Sequence, residues 1–402
     1  MILRRYEQSL TSQFHLLRRH GALPAASTKT EPSFPTTHHT RECRGHRMPV
    51  PDSLTAWREF VARRNVEPEQ LSREKIAALS EEDKAAYDKS RFAWIGADVV
   101  IETKDLASIE RQVHIIRARL AARRSTAGRT LALSGRAGVG KSTIAMLMGK
   151  RHERIERQKL GLPTDAPDVA PVLYLVVPPG STPKMLMVAI ARWIGLPVPR
   201  GWDAPTVMDH VVSVLKTLKT SMIIVDEVHN LKTNKSAGAD AASTLKSFTE
   251  RLDAAVIFCG IDLLDTDLLA GEMGRQIRAR TKVYDIRTYS YGSAAARESW
   301  VELVAGMEAL LPLAAHPVGS LTTPEMSDYL WNRTGGSIGS LCNLLGDAAI
   351  NAIFTGTELV DWAGLDEVLL DQEAVRGQTD TPLSARMDTK QEGSAARLGD
   401  SC

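Results

Sequence analysis

Gly135-Arg136-Ala137-Gly138-Val139-Gly140-Lys141-Ser142 decides the fold of this chain. The stretch satisfies G-x-x-x-x-G-K-[ST] at every position. Ahead of it lies the strand-like Thr130-Leu131-Ala132-Leu133, and behind it Thr143 to Met148 has the alanine, leucine and methionine content of a helix start. A glycine loop between a strand and a helix is the setting in which this pattern cradles phosphate. Glycines carry no Cβ and adopt positive φ cheaply, so the backbone can wrap an anion closely. The loop amides and the helix N-terminus then point at that anion. Gly135, Arg136, Ala137, Gly138, Val139, Gly140, Lys141, Ser142 and Thr143 are therefore the expected nucleotide-binding set. Lys141 supplies charge for the β- and γ-phosphates, and Ser142 offers its hydroxyl to Mg²⁺.

Downstream, Val172 to Val177 is a continuous apolar run, as expected of a parallel strand buried on both faces. Ser221-Met222-Ile223-Ile224-Val225-Asp226-Glu227 is a second such strand, ending in two carboxylates. It would carry Asp226 to the carboxyl edge of the sheet, where open α/β sheets bind ligands. There Asp226 would hold Mg²⁺ opposite Ser142, and Glu227 would polarise the attacking water as general base. Ala254 to Cys259 and Val283 to Ile286 complete five strands, counting Thr130 to Leu133. Helices are expected at Met185 to Ile194, Asp203 to Leu218, Ala241 to Leu252 and Leu263 to Leu269. Lys150 to Lys159 reads as a solvated helix end, and Gly161 to Pro171, with three prolines, as a loop. After Tyr291 the periodicity is helical throughout: Gly292 to Leu311, Pro324 to Asn332, Ser337 to Thr355 and Asp361 to Gln372.

The 402 residues allow two or three domains, and 43% hydrophobic residues suffice for a sizeable core. A net charge of +2 announces no polyanion or membrane partner, although a local basic patch remains possible. Cys43, Cys259, Cys342 and Cys402 lack C-x-x-C spacing, which argues against a disulfide framework or zinc site. No apolar run is expected to span a bilayer, so the reading is a cytoplasmic protein. Residues 1–47 are read as a disordered or mis-annotated extension, with Met48 as an alternative start. Residues 48–122 form a helical segment, in which Asp105 to Ala121 carries an apolar stripe and Val99 to Ile101 could wall an adenine pocket. Residues 123–290 form the α/β core, 291–375 a small helical lid, and 376–402 a disordered tail.

The order of signals resembles the AAA+ ATPases, and more narrowly the TniB and TnsC group of transposition regulators related to IstB-type helpers. The carrying strings are Ile101-Glu102-Thr103, Ser134 to Thr143, Val176 to Lys184, Ile224 to Leu231 and Thr334 to Leu341. The resemblance implies an α/β P-loop domain with a five-stranded parallel sheet and a helical lid. It also implies an ATP-dependent regulator that assembles as a homo-oligomer on double-stranded DNA and recruits or stimulates a transposase. ATP would sit between subunits, with Arg280 of one reaching the phosphates of the next and Arg278 as the alternate. Such an arginine stabilises charge on the γ-phosphoryl in the transition state; the other reading is a basic surface turn. Gly339 stands where a lid arginine is common in these ATPases, which implies slow turnover. His229 could orient Glu227 or simply be a satisfied structural histidine. Thr182, Lys184, Lys232 and Lys235 are the candidate DNA contacts, through phosphates and without sequence readout. The alternatives are a helicase loader or replication initiator, a signalling NTPase, and a small-molecule kinase. The short polar segment after Gln372 weighs against an initiator, and the lack of repeats against a signalling array.

Overall fold

A computed structural model describes residues 50–97, 101–122, 129–163, 166–231, 237–263 and 281–370. β1 (Thr130–Ser134), β2 (Val172–Val176), β3 (Met222–Asp226), β4 (Ala255–Gly260) and β5 (Thr281–Asp285) form one sheet in the order β2-β3-β4-β1-β5. Every adjacent pair is parallel. The register aligns Ser134 with Gly260 and Val176 with Asp226. The ends of β1, β3 and β4 therefore meet at one carboxyl edge, with the phosphate loop starting directly after Ser134.

Helices cover both faces of the sheet, which explains why β3 and β4 are buried at every residue. They are α1 (Leu54–Ala62), α2 (Arg73–Ala77), α3 (Glu81–Ile95), α4 (Lys104–Ala121), α5 (Lys141–Lys159), α6 (Pro183–Trp193), α7 (Ala204–Thr217) and α8 (Ala237–Glu250). Beyond β5 follow α9 (Ala294–Glu308), α10 (Pro324–Thr334), α11 (Ile338–Thr355) and α12 (Trp362–Glu367). Most start on a side-chain cap. Ser53, Ser80, Thr103, Thr182, Asp203, Ser293, Ser337 and Asp361 each accept the amide three residues on. Such a cap contributes about 1 kcal/mol by satisfying an amide with no partner inside the helix.

Two apolar cores result. The larger lies on the sheet and takes in Trp57, Phe60 and Val61 of α1 and the stripe Leu106, Ile109, Val113 and Ile116 of α4. The smaller joins α9 to α12 around Trp300, Leu330, Leu341 and Leu345, with Phe92, Ile95 and Ile101 packed on it. The N-terminal helices are thus divided. α1 and α4 pack on the sheet. α3 packs on the lid, where buried Arg91 pairs with Glu358 at 2.7 Å and Trp94 Nε1 donates to the Leu310 carbonyl.

Three expectations need correction. Lys150 to Lys159 is not a solvated helix end. His152, Glu153 and Arg157 are buried there, because Glu153 and Arg157 pair with each other at 2.8 Å. Arg157 also donates to the carbonyls of Pro163, Ala166 and Val169, and Glu153 accepts from Trp57 Nε1 and the Val172 amide. The charges neutralise internally and hold Pro163, Ala166, Val169 and Val172 against α5. The last helix ends at Glu367 rather than Gln372. Finally, α11 has 18 residues at a mean hydropathy of 1.3, long and apolar enough to cross a bilayer by length and composition. That apolarity has a packing cause here: Leu341, Leu344, Leu345, Ala348, Ala349, Ala352 and Ile353 fill the lid core.

Candidate functional site

The phosphate loop closes on itself through glycine geometry. Gly135, Gly138 and Gly140 take φ of 146°, 75° and 89°. At Gly135 a Cβ would lie 2.2 Å from the Ile286 carbonyl oxygen, so no side chain fits where β1 turns beside the end of β5. Lys141 is buried, and its Nζ donates to the carbonyls of Gly135 (2.9 Å) and Arg136 (2.5 Å). Burial lowers the pKa of its ammonium, against the opposing pull of Glu227, Asp226 and Asp262. A cation held among carboxylates at a glycine loop is suited to a multiply charged phosphate. Ser142 and Thr143 follow on the first turn of α5 and are half-buried.

Asp226 is buried at the end of β3. Its Oδ2 accepts from the Tyr174 hydroxyl at 2.7 Å, and its Oδ1 accepts from the Glu227 amide at 2.8 Å. Each oxygen keeps a further lone pair, so an outward-facing Mg²⁺ shell remains chemically available. No group of three or more metal-ligating side chains occurs among the described residues. Mg²⁺ is commonly held by one or two protein oxygens plus phosphates and water. Ser142 and Asp226 fit such an ion.

Glu227 sits in the left-handed region at φ 56°. A non-glycine residue there stores of order 1 kcal/mol of strain, a feature that clusters at functional sites. The Asp226–Glu227 amide contact helps hold it. Its carboxylate Oε2 lies 3.1 Å from His229 Nε2. His229 Nδ1 accepts the Ile261 amide at 3.3 Å, so the network assigns the proton to Nε2, which donates to Glu227. His229 thereby joins the general-base candidate to the tip of β4. Asp262 follows Ile261 there at a strained φ of 44°.

Tyr174 is the site residue that the sequence pattern did not single out. Its hydroxyl is the polar side-chain group of an otherwise apolar strand, and a buried hydroxyl needs a partner. Burial and the adjacent Asp226 push its pKa well up, so it stays a donor. Its ring stacks on Trp57, with centroids 5.7 Å apart and 10° between planes. The support of Asp226 thus extends to α1.

Of the candidate DNA contacts, Thr182 and Lys184 lie among the described residues. Thr182 caps α6 through its hydroxyl, and exposed-side Lys184 reaches the Arg200 carbonyl at 3.4 Å. Lys232, Lys235, Arg278 and Arg280 lie outside the described residues, as do Val99, Val100, most of the Leu263 to Leu269 helix, residues 1–47 and the tail. Ile101 packs against the lid core and borders a cleft of about 330 Å³ with Thr103, Asp285, Tyr289 and Leu303.

Residues 91–290 match the family model described as bacterial TniB protein. No curated protein matches the chain. Among solved structures, the chain is similar to ORC2 of Aeropyrum pernix, determined as ADPNP-ADP complexes. The identity is 15% and the TM-score 0.47, over 68% of this chain and 67% of that one. It is also similar to ORC1 of Aeropyrum pernix in complex with DNA, at 19% identity and TM-score 0.48 over 67% and 65%. A third is Cdc6p of Pyrobaculum aerophilum, at 17% and 0.46 over 65% of each chain. The chain spans about two thirds of the length of each.

Proposed function

We propose that this chain, whose residues 91–290 match the bacterial TniB family model and whose five-stranded parallel sheet carries a phosphate loop, is an ATP-dependent, DNA-binding AAA+ regulator of transposition. One observation carries the nucleotide half of the reading: a glycine loop with buried Lys141 shares its sheet edge with the Asp226–Glu227 pair. Gly135 to Thr143 bind the phosphates, and Ser142 and Asp226 hold Mg²⁺. Bound ATP and Mg²⁺ supply the phosphoryl group and its counter-charge. Glu227 takes a proton from the attacking water, and His229 keeps the Glu227 carboxylate oriented. Arg280, or Arg278, reaches the neighbouring subunit's nucleotide and neutralises charge in trans.

ATP binding then drives a homo-oligomer onto double-stranded DNA. Thr182, Lys184, Lys232 and Lys235 provide the phosphate contacts, and a transposase is the partner recruited. Hydrolysis is slow and acts as a timer, because Gly339 brings no arginine to the phosphates. A protein of this role works in the cytoplasm, where its DNA lies.

Sedimentation of the protein with duplex DNA, in ATP and in ADP and at two salt concentrations, tests the reading. A large complex that needs ATP and DNA and weakens with salt is expected, because phosphate contacts release counterions. A protein that stays small whatever the nucleotide would overturn the assembly on DNA.

A further inference from the structure

The lid touches the phosphate loop backbone to backbone. The amide of Gly339, second residue of α11, donates to the Gly138 carbonyl at 2.9 Å, and Ser337 Oγ lies 3.4 Å from the same oxygen. The first amides of a helix have no partner within it; here one of them finds its acceptor in the phosphate loop. The approach demands glycine. A Cβ on Gly339 would sit 2.6 Å from the Gly138 oxygen and 3.2 Å from its Cα. Every residue with a side chain, arginine included, brings that Cβ.

The turn leading into α11 is itself fixed to the linker after β5. Tyr289 donates its amide to the Gly336 carbonyl at 2.8 Å, and Trp331 Nε1 donates to the Tyr289 carbonyl at 2.7 Å. The lid therefore presents Gly339 from a braced position.

Peptide groups are planar and trans, so a C=O and the N–H of the next residue point in opposite directions. Holding the Gly138 carbonyl toward the lid aims the Val139 amide away from it. Val139 stands between Gly138 and Gly140, both at positive φ, where glycine makes rotation of the intervening peptides cheap. Without an external tie this amide would have several orientations to choose from.

We propose that Gly339 is a positioning residue that latches the lid to the Gly138–Val139 peptide and so presets the Val139 amide for nucleotide phosphate. This rests on the nucleotide-site reading above. Lid docking and phosphate binding then favour each other without any charged lid side chain.

Gly339→Ala in the full chain tests it, with Gly346→Ala as control. Gly346 lies on the same helix, and its added Cβ would meet only an Ile95 methyl at 3.4 Å. Both changes favour the helix intrinsically, but only the Cβ of Gly339→Ala meets backbone, at 2.6 Å from the Gly138 oxygen, so a merely structural contact predicts a lowered melting temperature for it with unchanged nucleotide affinity. The latch predicts that Gly339→Ala weakens ATP and ADP binding about tenfold, roughly 1.4 kcal/mol, at temperatures where both variants remain folded. It also predicts that ATP no longer protects the linker at residues 287–292 from protease in Gly339→Ala. Gly339→Arg should be as weak as alanine. Parent-like ATP affinity in Gly339→Ala, or tighter binding in Gly339→Arg, overturns the latch and leaves the phosphate loop assignment standing. Absence of nucleotide binding by the parent chain overturns both.

Discussion

Glu227 has three constraints on one residue: a left-handed backbone, an amide tied to Asp226 and a carboxylate facing His229. A general base held in this way has a defined set of mutational consequences. Lys141→Ala should abolish ATP binding, since it removes the buried charge of the loop. Glu227→Gln should bind ATP at parent affinity and lose at least about a hundredfold in kcat, within the range attributed to a positioned base. His229→Ala should lower kcat about tenfold with little change in KM, because the carboxylate remains but is no longer oriented. Steady-state ATPase rates together with a nucleotide titration check all three. Hydrolysis by Glu227→Gln at the parent rate would remove the base from Glu227. The loop and the Asp-Glu pair were readable in sequence because their chemistry is carried by near neighbours. Tyr174 was not, because the Asp226 oxygen it meets belongs to another strand end, and the sequence left His229 with two readings because the Ile261 amide that it accepts lies 32 residues away.

At the scale of the element, α5 shows how a charged run misleads. Glu153 and Arg157 stand one turn apart and satisfy each other, so composition alone cannot separate them from a solvated pair. Removing one member would strand the other in the core, typically at a cost of about 3–5 kcal/mol. His152 on the same helix is buried, with Nε2 at 2.8 Å from Ser221 Oγ. Burial, aided by Arg117, pushes its pKa down from 6.5 to about 4. The unfolded chain then takes up a proton below about pH 6.5 while the folded chain resists until about pH 4. Stability is therefore full above that window and falls as pH drops through it, by roughly 3 kcal/mol for this group. Denaturant midpoints at pH 7 and pH 4.5 should differ more in the parent than in His152→Asn. Parallel pH profiles in the two proteins would show that His152 contributes no such slope.

For the whole molecule, the α/β order was readable from apolar runs of strand length. The partners of α3 were not, because an amphipathic stripe reveals that a face is buried but not against which neighbour. The same holds between subunits. If Arg280 acts in trans, Arg280→Ala should lose ATPase activity alone and regain part of it when mixed with Glu227→Gln, which lacks the base but keeps the arginine. Mixing-dependent recovery of hydrolysis is the readout, and a mixture no more active than its components would refute sharing between neighbours.

The chain leaves the sheet after α1, joins the lid through α2 and α3, and returns to the sheet with α4. Arg73 reaches the Gly356 and Thr357 carbonyls on the lid side. It leaves for the lid again after β5. The two bodies are therefore strapped together at three places: between Ala62 and Arg73, between Ile95 and Lys104, and between Asp285 and Ala294. A body on a single tether can tumble, whereas one on three straps of limited length is confined to a shallow arc. Three connections leave the helical body fewer directions of travel than one would, so the path by which Gly339 meets the phosphate loop is narrowed by the chain itself.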